Sequence, residues 1–134
     1  MIVDSSAFIA VLRNEPGWEE YMALMVDAHS LVTSAATLLE TAMVAEGQGG
    51  DKAALDLDSL IRRLDVDVVP FTAEHAALAR EGFRRFGKGR HPAGLNFGDC
   101  FAYALARARH EPLLFKGRDF AQTDVKAAIS CPNS

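Results

Sequence analysis

Cysteine is scarce in this chain. Cys100 and Cys131, the two in 134 residues, show neither a disulfide framework nor the paired spacing of a metal site. That usage suits a reducing compartment, and Cys100 reads as a small core residue. Long apolar runs are missing as well: none approaches the roughly 18 residues that a membrane span requires. The opening residues Met1-Ile2-Val3-Asp4 lack the basic start and apolar core of a signal peptide. The expectation is a cytoplasmic protein with no membrane association. No charge of one sign dominates. The net charge of −4 argues against a general nucleic-acid coat protein. There is no internal repeat and no long low-complexity segment.

What is present is an ordinary globular composition, 49% hydrophobic and 24% charged. A chain of this length fits one domain, 1–134, with one core. Met1-Ile2-Val3 reads as a short buried strand, followed by a helix capped by Ser5 or Ser6 and carrying Ala7, Phe8, Val11 and Leu12. Asn14-Glu15-Pro16-Gly17 breaks it, and 18–28 fits a second helix. Leu31-Val32-Thr33 is a strand, and Ser34 starts an apolar helix reaching Glu46. Gly47-Gln48-Gly49-Gly50 reads as a stop before a further helix over 51–64, with Leu55, Leu57, Leu60, Ile61 and Leu64 mostly on one face. Val66-Asp67-Val68-Val69 is a strand ended by Pro70, and Thr72 caps a helix to Phe86. The clearest helix is 97–109, where Phe97, Cys100, Phe101, Ala104, Leu105 and Ala108 recur at helical spacing. Pro112-Leu113-Leu114-Phe115 is a strand, and 125–129 is expected to add an edge strand. Short apolar strands alternating with helices mean an α/β fold with a mainly parallel sheet.

Four acids stand at the edges of these segments. Asp4 ends the first strand, Glu40 lies in an apolar helix, Asp99 opens the clearest helix, and Asp119 follows the last strand. In a parallel α/β sheet, strand ends and helix starts converge on one crevice. Carboxylates gathered there repel one another unless a cation lies between them, and hard oxygen ligands suit Mg²⁺ or Mn²⁺. Each acid also has a plainer reading. Asp4 can cap the first helix, and Asp99 can serve as a helix-start acid. Thr37-Leu38-Leu39-Glu40 matches a capping box, although a helix beginning at Ser34 would leave Glu40 in its interior. Asp119 can be a turn residue, with Asp124 in its place as the fourth acid.

The ordered pattern of Ile2-Val3-Asp4-Ser5-Ser6-Ala7, Ser34-x5-Glu40, Leu95-Asn96-Phe97-Gly98-Asp99-Cys100 and Leu114-Phe115-Lys116-Gly117-Arg118-Asp119-Phe120 resembles the PIN-domain ribonucleases. Within them it is similar to the VapC-type toxins of bacterial toxin–antitoxin pairs, over essentially the whole chain. The resemblance implies a three-layer fold with a short central sheet flanked by helices. It implies a Mg²⁺-dependent endoribonuclease, with Mn²⁺ as an alternative ion, in which Asp4, Glu40, Asp99 and Asp119 bind metal and water attacks the phosphodiester. Ser6 matches the hydroxyl residue that supports the first aspartate, and Asn96, Thr123 and Asp124 fall at polar positions near the family's site. It also implies an RNA substrate, a homodimer and a VapB-type antitoxin whose tail enters the active-site groove.

The stretch from Arg84 to His91 contains no acid. Read alone, it is either a solvated loop or a phosphate contact. With RNA implied, Arg84, Arg85, Lys88, Arg90 and Lys116 become phosphate-binding candidates. His29, His75, His91 and His110 are scattered, and none is assigned to catalysis. Two other classes carry similar features. One is a non-catalytic PIN-type RNA-binding or scaffold domain. The other is an aspartate-based phosphoryl-transfer domain, which wants Asp-x-Asp after the first strand, where this chain has Asp4-Ser5-Ser6.

Overall fold

The computed structural model describes residues 1–129. Its centre is a sheet of four strands: β1 (Ile2–Val3), β2 (Val32–Ser34), β3 (Asp67–Val69) and β4 (Leu113–Leu114). They lie in the order β3-β2-β1-β4, and every pairing is parallel. Five helices surround them: α1 (Ser5–Leu12), α2 (Trp18–Asp27), α3 (Ala35–Arg63), α4 (Ala73–Phe86) and α5 (Phe97–Arg109). Among the described residues, no helix is long and apolar enough to cross a membrane.

The pleat divides the apolar residues between two sides of the sheet. Ile2, Val32 and Leu113 turn toward α4 and α5, where they meet Tyr103, Leu105 and Phe86. Val3, Leu31 and Leu114 join Phe8, Met25 and Leu60 on the other side. The expected three layers follow directly from that alternation, and Cys100 is buried as expected.

Several local expectations change. Asp4, not Ser5 or Ser6, caps α1, because both serines already lie inside the helix while Asp4 is extended and its carboxylate accepts the Ser6 N–H. The break at 47–50 is narrower than the glycine content suggests. Helix α3 runs on to Gly49 and kinks at Gly50, whose φ of 67° only glycine adopts readily. Leu55 is 68% exposed, while Leu57 and Leu60 are buried. The edge strand over 125–129 reduces to one bridge between Leu113 and Ala127. Strand β4 is only two residues long, and Pro112 before it has no N–H to offer, so the edge supports little pairing. Cys131 lies outside the described residues.

The order β3-β2-β1-β4 makes the gap between β1 and β4 the point where the chain reverses direction across the sheet. In open parallel sheets the strand ends beside such a point are where ligands bind. Asp4 follows β1, and the turn bearing Asp119 follows β4.

Candidate active site

Asp4 is 2% exposed at the end of β1. Ser6 donates to its Oδ2 twice, from the backbone N–H at 3.0 Å and from the hydroxyl at 2.7 Å. The same hydroxyl accepts the Lys116 N–H at 2.9 Å, so one serine ties the first acid to the segment after β4. Asp4 Oδ1, in contrast, is buried and accepts no hydrogen bond among the described residues. Burial pushes this carboxyl up to about 6, against the Ser6 bonds, and the charge of Glu40 adds to the rise.

Asp99 stands in the first turn of α5, inside a reciprocal cap. Asn96 Oδ1 accepts the Asp99 N–H at 2.9 Å, and Asp99 Oδ2 accepts the Asn96 N–H at 3.0 Å. The helix-start reading of Asp99 is therefore correct, yet it uses only one carboxylate oxygen. Burial pushes Asp99 up to about 7; the Asn96 N–H opposes this, and the charges of Asp4, Asp119 and Glu40 reinforce it. The charges of the other three acids thus all act on Asp99.

Glu40 lies in the interior of α3. The helix cap is Ser34, whose hydroxyl accepts the Ala36 N–H at 3.1 Å, so no capping box forms at Thr37. Glu40 Oε1 is buried and without a partner among the described residues. The Glu40 carboxylate rests against Gly98, where any side chain would overlap it. Asp119 is exposed on the turn after β4, and its side chain caps nothing. Thr123 closes that turn by donating to Phe120 O at 2.7 Å.

Asp124 belongs elsewhere. Its carboxylate is held by the Tyr103 hydroxyl at 2.9 Å, by Arg107, and by Arg85 at 3.1 Å. Asp119, in contrast, is one of the charges that reinforce the rise at Asp99. The basic candidates also separate. Arg85 is committed to Asp124 and Glu81, and Lys116 pairs with Glu15 at 2.9 Å. Arg84 and Arg90 line a cleft of about 780 Å³ between α4 and α5, with Arg80, Phe83, Phe97 and Phe101. Lys88 is exposed. The loop that carries Lys88 and Arg90 is less adaptable than its glycines suggest. Leu95 and Ala93 are buried, and bonds from Leu95 N to Phe86 O and from Lys88 N to Leu95 O staple its ends.

No three of the described His, Cys, Asp or Glu side chains converge on one point as ligands. The charges of Asp4, Asp119 and Glu40 all reach Asp99, although the side chains do not meet at one point. A hard divalent ion nevertheless fits this site. The donor set is all oxygen, and two buried carboxylate oxygens, Asp4 Oδ1 and Glu40 Oε1, accept nothing from the described residues. Sequence reasoning missed Gly98 and Tyr103. A glycine in the first turn of a strongly amphipathic helix was the available signal for the first. Nothing local marks the second, because its partner lies on a distant segment.

A model of the PIN domain matches residues 1–126. Ribonuclease VapC30 of Mycobacterium tuberculosis is 45% identical over 132 residues, which covers 98% of this chain and 100% of the relative. Ribonuclease VapC of Mycolicibacterium smegmatis is 46% identical over 127 residues, covering 95% and 98%. Among solved structures, the M. tuberculosis sarcin-ricin-loop-cleaving toxin VapC20 superposes with a TM-score of 0.75 at 20% identity, over 92% of this chain and 95% of that one. VapBC2 from Rickettsia felis, bound to a DNA fragment from its promoter, gives 0.74 at 12% identity, over 94% and 95%. These two share the fold. Taken with the match to the family model and the relatives' near-complete coverage, the chain belongs to the PIN-domain family, among its VapC ribonucleases.

Proposed function

We propose that the chain is an endoribonuclease toxin that hydrolyses RNA with water at Mg²⁺, or Mn²⁺ in its place, held by Asp4, Glu40, Asp99 and Asp119. The observation that carries this reading is the pair of buried oxygens without a partner among the described residues, Asp4 Oδ1 and Glu40 Oε1, on two acids whose charges both act on Asp99. When bound, the ion would acidify a water and offset the charge of the phosphate. The protein's own part is positioning. Ser6 fixes Asp4 through Oδ2, and Oδ1 would be the oxygen left to hold the ion. The Asn96 N–H does the same for Asp99 through Oδ2. Gly98 leaves room for Glu40. Arg84 and Arg90 flank the cleft that begins beside Phe97, two residues from Asp99, and are placed to meet RNA phosphates.

The relatives named as VapC ribonucleases support the nuclease reading. The fold shared with a VapBC complex supports a VapB-type antitoxin as partner. A homodimer and a cytoplasmic setting complete the proposal. The test is incubation of the protein with mixed-sequence RNA, with Mg²⁺ or with EDTA, beside Asp99→Asn. Cleavage to 5′-phosphate ends that needs Mg²⁺ and Asp99 is the expected result. Cleavage that persists in EDTA would remove the metal from the mechanism. RNA binding without cleavage under any divalent ion would indicate a non-catalytic PIN domain.

A further inference from the structure

We propose that Asp124 is a positioning residue: it clamps the segment between β4 and Ala127 onto α4 and α5, and so holds Asp119 beside Asp99. The proposal rests on the metal-site reading above. The segment leaves the sheet at Leu114 and returns at the Ala127 bridge to Leu113. Between those points Asp119 is exposed and makes no cap. Phe120 anchors the near side by burying its ring against Phe115, at 5.2 Å between centroids. Asp124 anchors the far side, where three groups from two helices bind one carboxylate. Tyr103 donates to Oδ1, while Arg107 and Arg85 both reach Oδ2.

The partners are themselves fixed. Tyr103 is fully buried, and its ring fills the space that any side chain at Gly82 would need. Arg107 also donates to the Tyr103 hydroxyl at 2.9 Å. A turn alone does not require this much, since Thr123 already closes it. The placement along α5 shows what the clamp serves. Asp99, Tyr103 and Arg107 recur at intervals of four, on one stripe of one helix. Helix α5 therefore presents one acid of the site at its start and grips the segment bearing another acid farther along. Charged hydrogen bonds of this kind hold geometry more firmly than neutral ones. Arg85 acts here as a tie for the loop instead of an RNA contact.

The experiment compares Asp124→Asn and Tyr103→Phe with the parent. Tyr103→Phe keeps the buried ring and removes only the hydroxyl, so it reports even where Asp124→Asn folds poorly. Mn²⁺ binding is measured by calorimetry, amide exchange over 117–126 by mass spectrometry, and cleavage across a Mg²⁺ titration. Expected are Mn²⁺ binding weaker by about tenfold for Asp124→Asn, faster exchange confined to 117–126, and a higher half-saturating Mg²⁺ with a nearly unchanged plateau rate. RNA affinity without divalent ions should be unchanged in Arg85→Gln. Unaltered Mn²⁺ affinity in both clamp variants would overturn the proposal, as would exchange that quickens throughout the chain. A parent that binds no Mn²⁺ would instead remove the metal-site reading beneath it, and the proposal with it.

Discussion

The Glu40 carboxylate occupies the space that a side chain at Gly98 would fill. The relationship couples the interior of α3 to the first turn of α5, and it explains a glycine where helix propensity favours almost anything else. Gly98→Ala should therefore displace Glu40. The neighbour is the far end of a flexible side chain, so the fold yields there at little cost. Expected are at least about a tenfold loss of cleavage and a melting shift within roughly 4 °C. A variant of parental activity in which Glu40 is shown to have moved would remove Glu40 from the mechanism.

Asp4→Asn and Asp99→Asn should abolish cleavage and leave the metal-free protein as stable as the parent or more so. Asp4 is buried with one oxygen unpartnered, and its carboxyl is pushed up to about 6. Removing that charge relieves desolvation worth up to roughly 3 kcal/mol at neutral pH. RNA cleavage in Mg²⁺ and melting in EDTA check the two halves separately. Near-normal cleavage by either folded variant would sink the assignment.

How much of this site was legible follows from the range of each interaction. Helix α5 was readable to its ends, because Phe97, Cys100, Phe101, Ala104 and Leu105 repeat within one continuous segment. The convergence of Asp4 and Asp119 was readable too, because strand–helix alternation implies a parallel sheet and a crevice at its strand ends. Glu40 was placed correctly inside its helix, because the strand before it runs up to Ser34. The choice between Asp119 and Asp124 stayed open for a physical reason. Both follow the same strand and lie five positions apart, and Tyr103 and Arg107, which claim Asp124, are distant in sequence. Arg84 and Arg85 were indistinguishable by composition. Successive helical residues point about 100° apart, which turns one toward the cleft and the other toward Asp124.

RNA affinity should depend on Arg84 and Arg90 more than on Arg85. Among the described residues the first two form no ion pair, and the Arg90 guanidinium lies 5.4 Å over the Phe83 ring, inside the cleft. Arg84→Gln with Arg90→Gln should weaken binding to all sequences alike. The salt dependence should become shallower by about 0.7 log units per lost contact on single strands. Binding to several oligonucleotides at several salt concentrations, in an Asp99→Asn background to stop cleavage, measures both. An unchanged slope would return the cleft arginines to a solvating role.

The last prediction concerns pH. Asp4 and Asp99 are raised, chiefly by burial, from 3.8 to about 6 and about 7. Between the unfolded and folded values, the folded state binds more protons than the unfolded one. Stability of the metal-free protein must then fall as pH rises. The contribution is complete below about pH 4 and is lost as pH passes through the two folded values. For Asp4 it amounts to roughly 3 kcal/mol at most, and the part-exposed Asp99 adds less. Glu111 is shifted the other way, lowered first by the Arg109 bond, and its contribution is lost only at more acid pH. The window from about pH 5 to about pH 8 is therefore governed by the two site acids. Mg²⁺ bound at the proposed site would compete with those same protons, so its stabilising effect should grow across the window. Melting curves in EDTA should decline from about pH 5 to about pH 8, and those in Mg²⁺ should diverge upward from them. A metal-free melting temperature that stays flat or rises over this range would refute the burial-raised carboxyls. A decline in EDTA with no divergence in Mg²⁺ would leave the raised carboxyls standing and refute the ion.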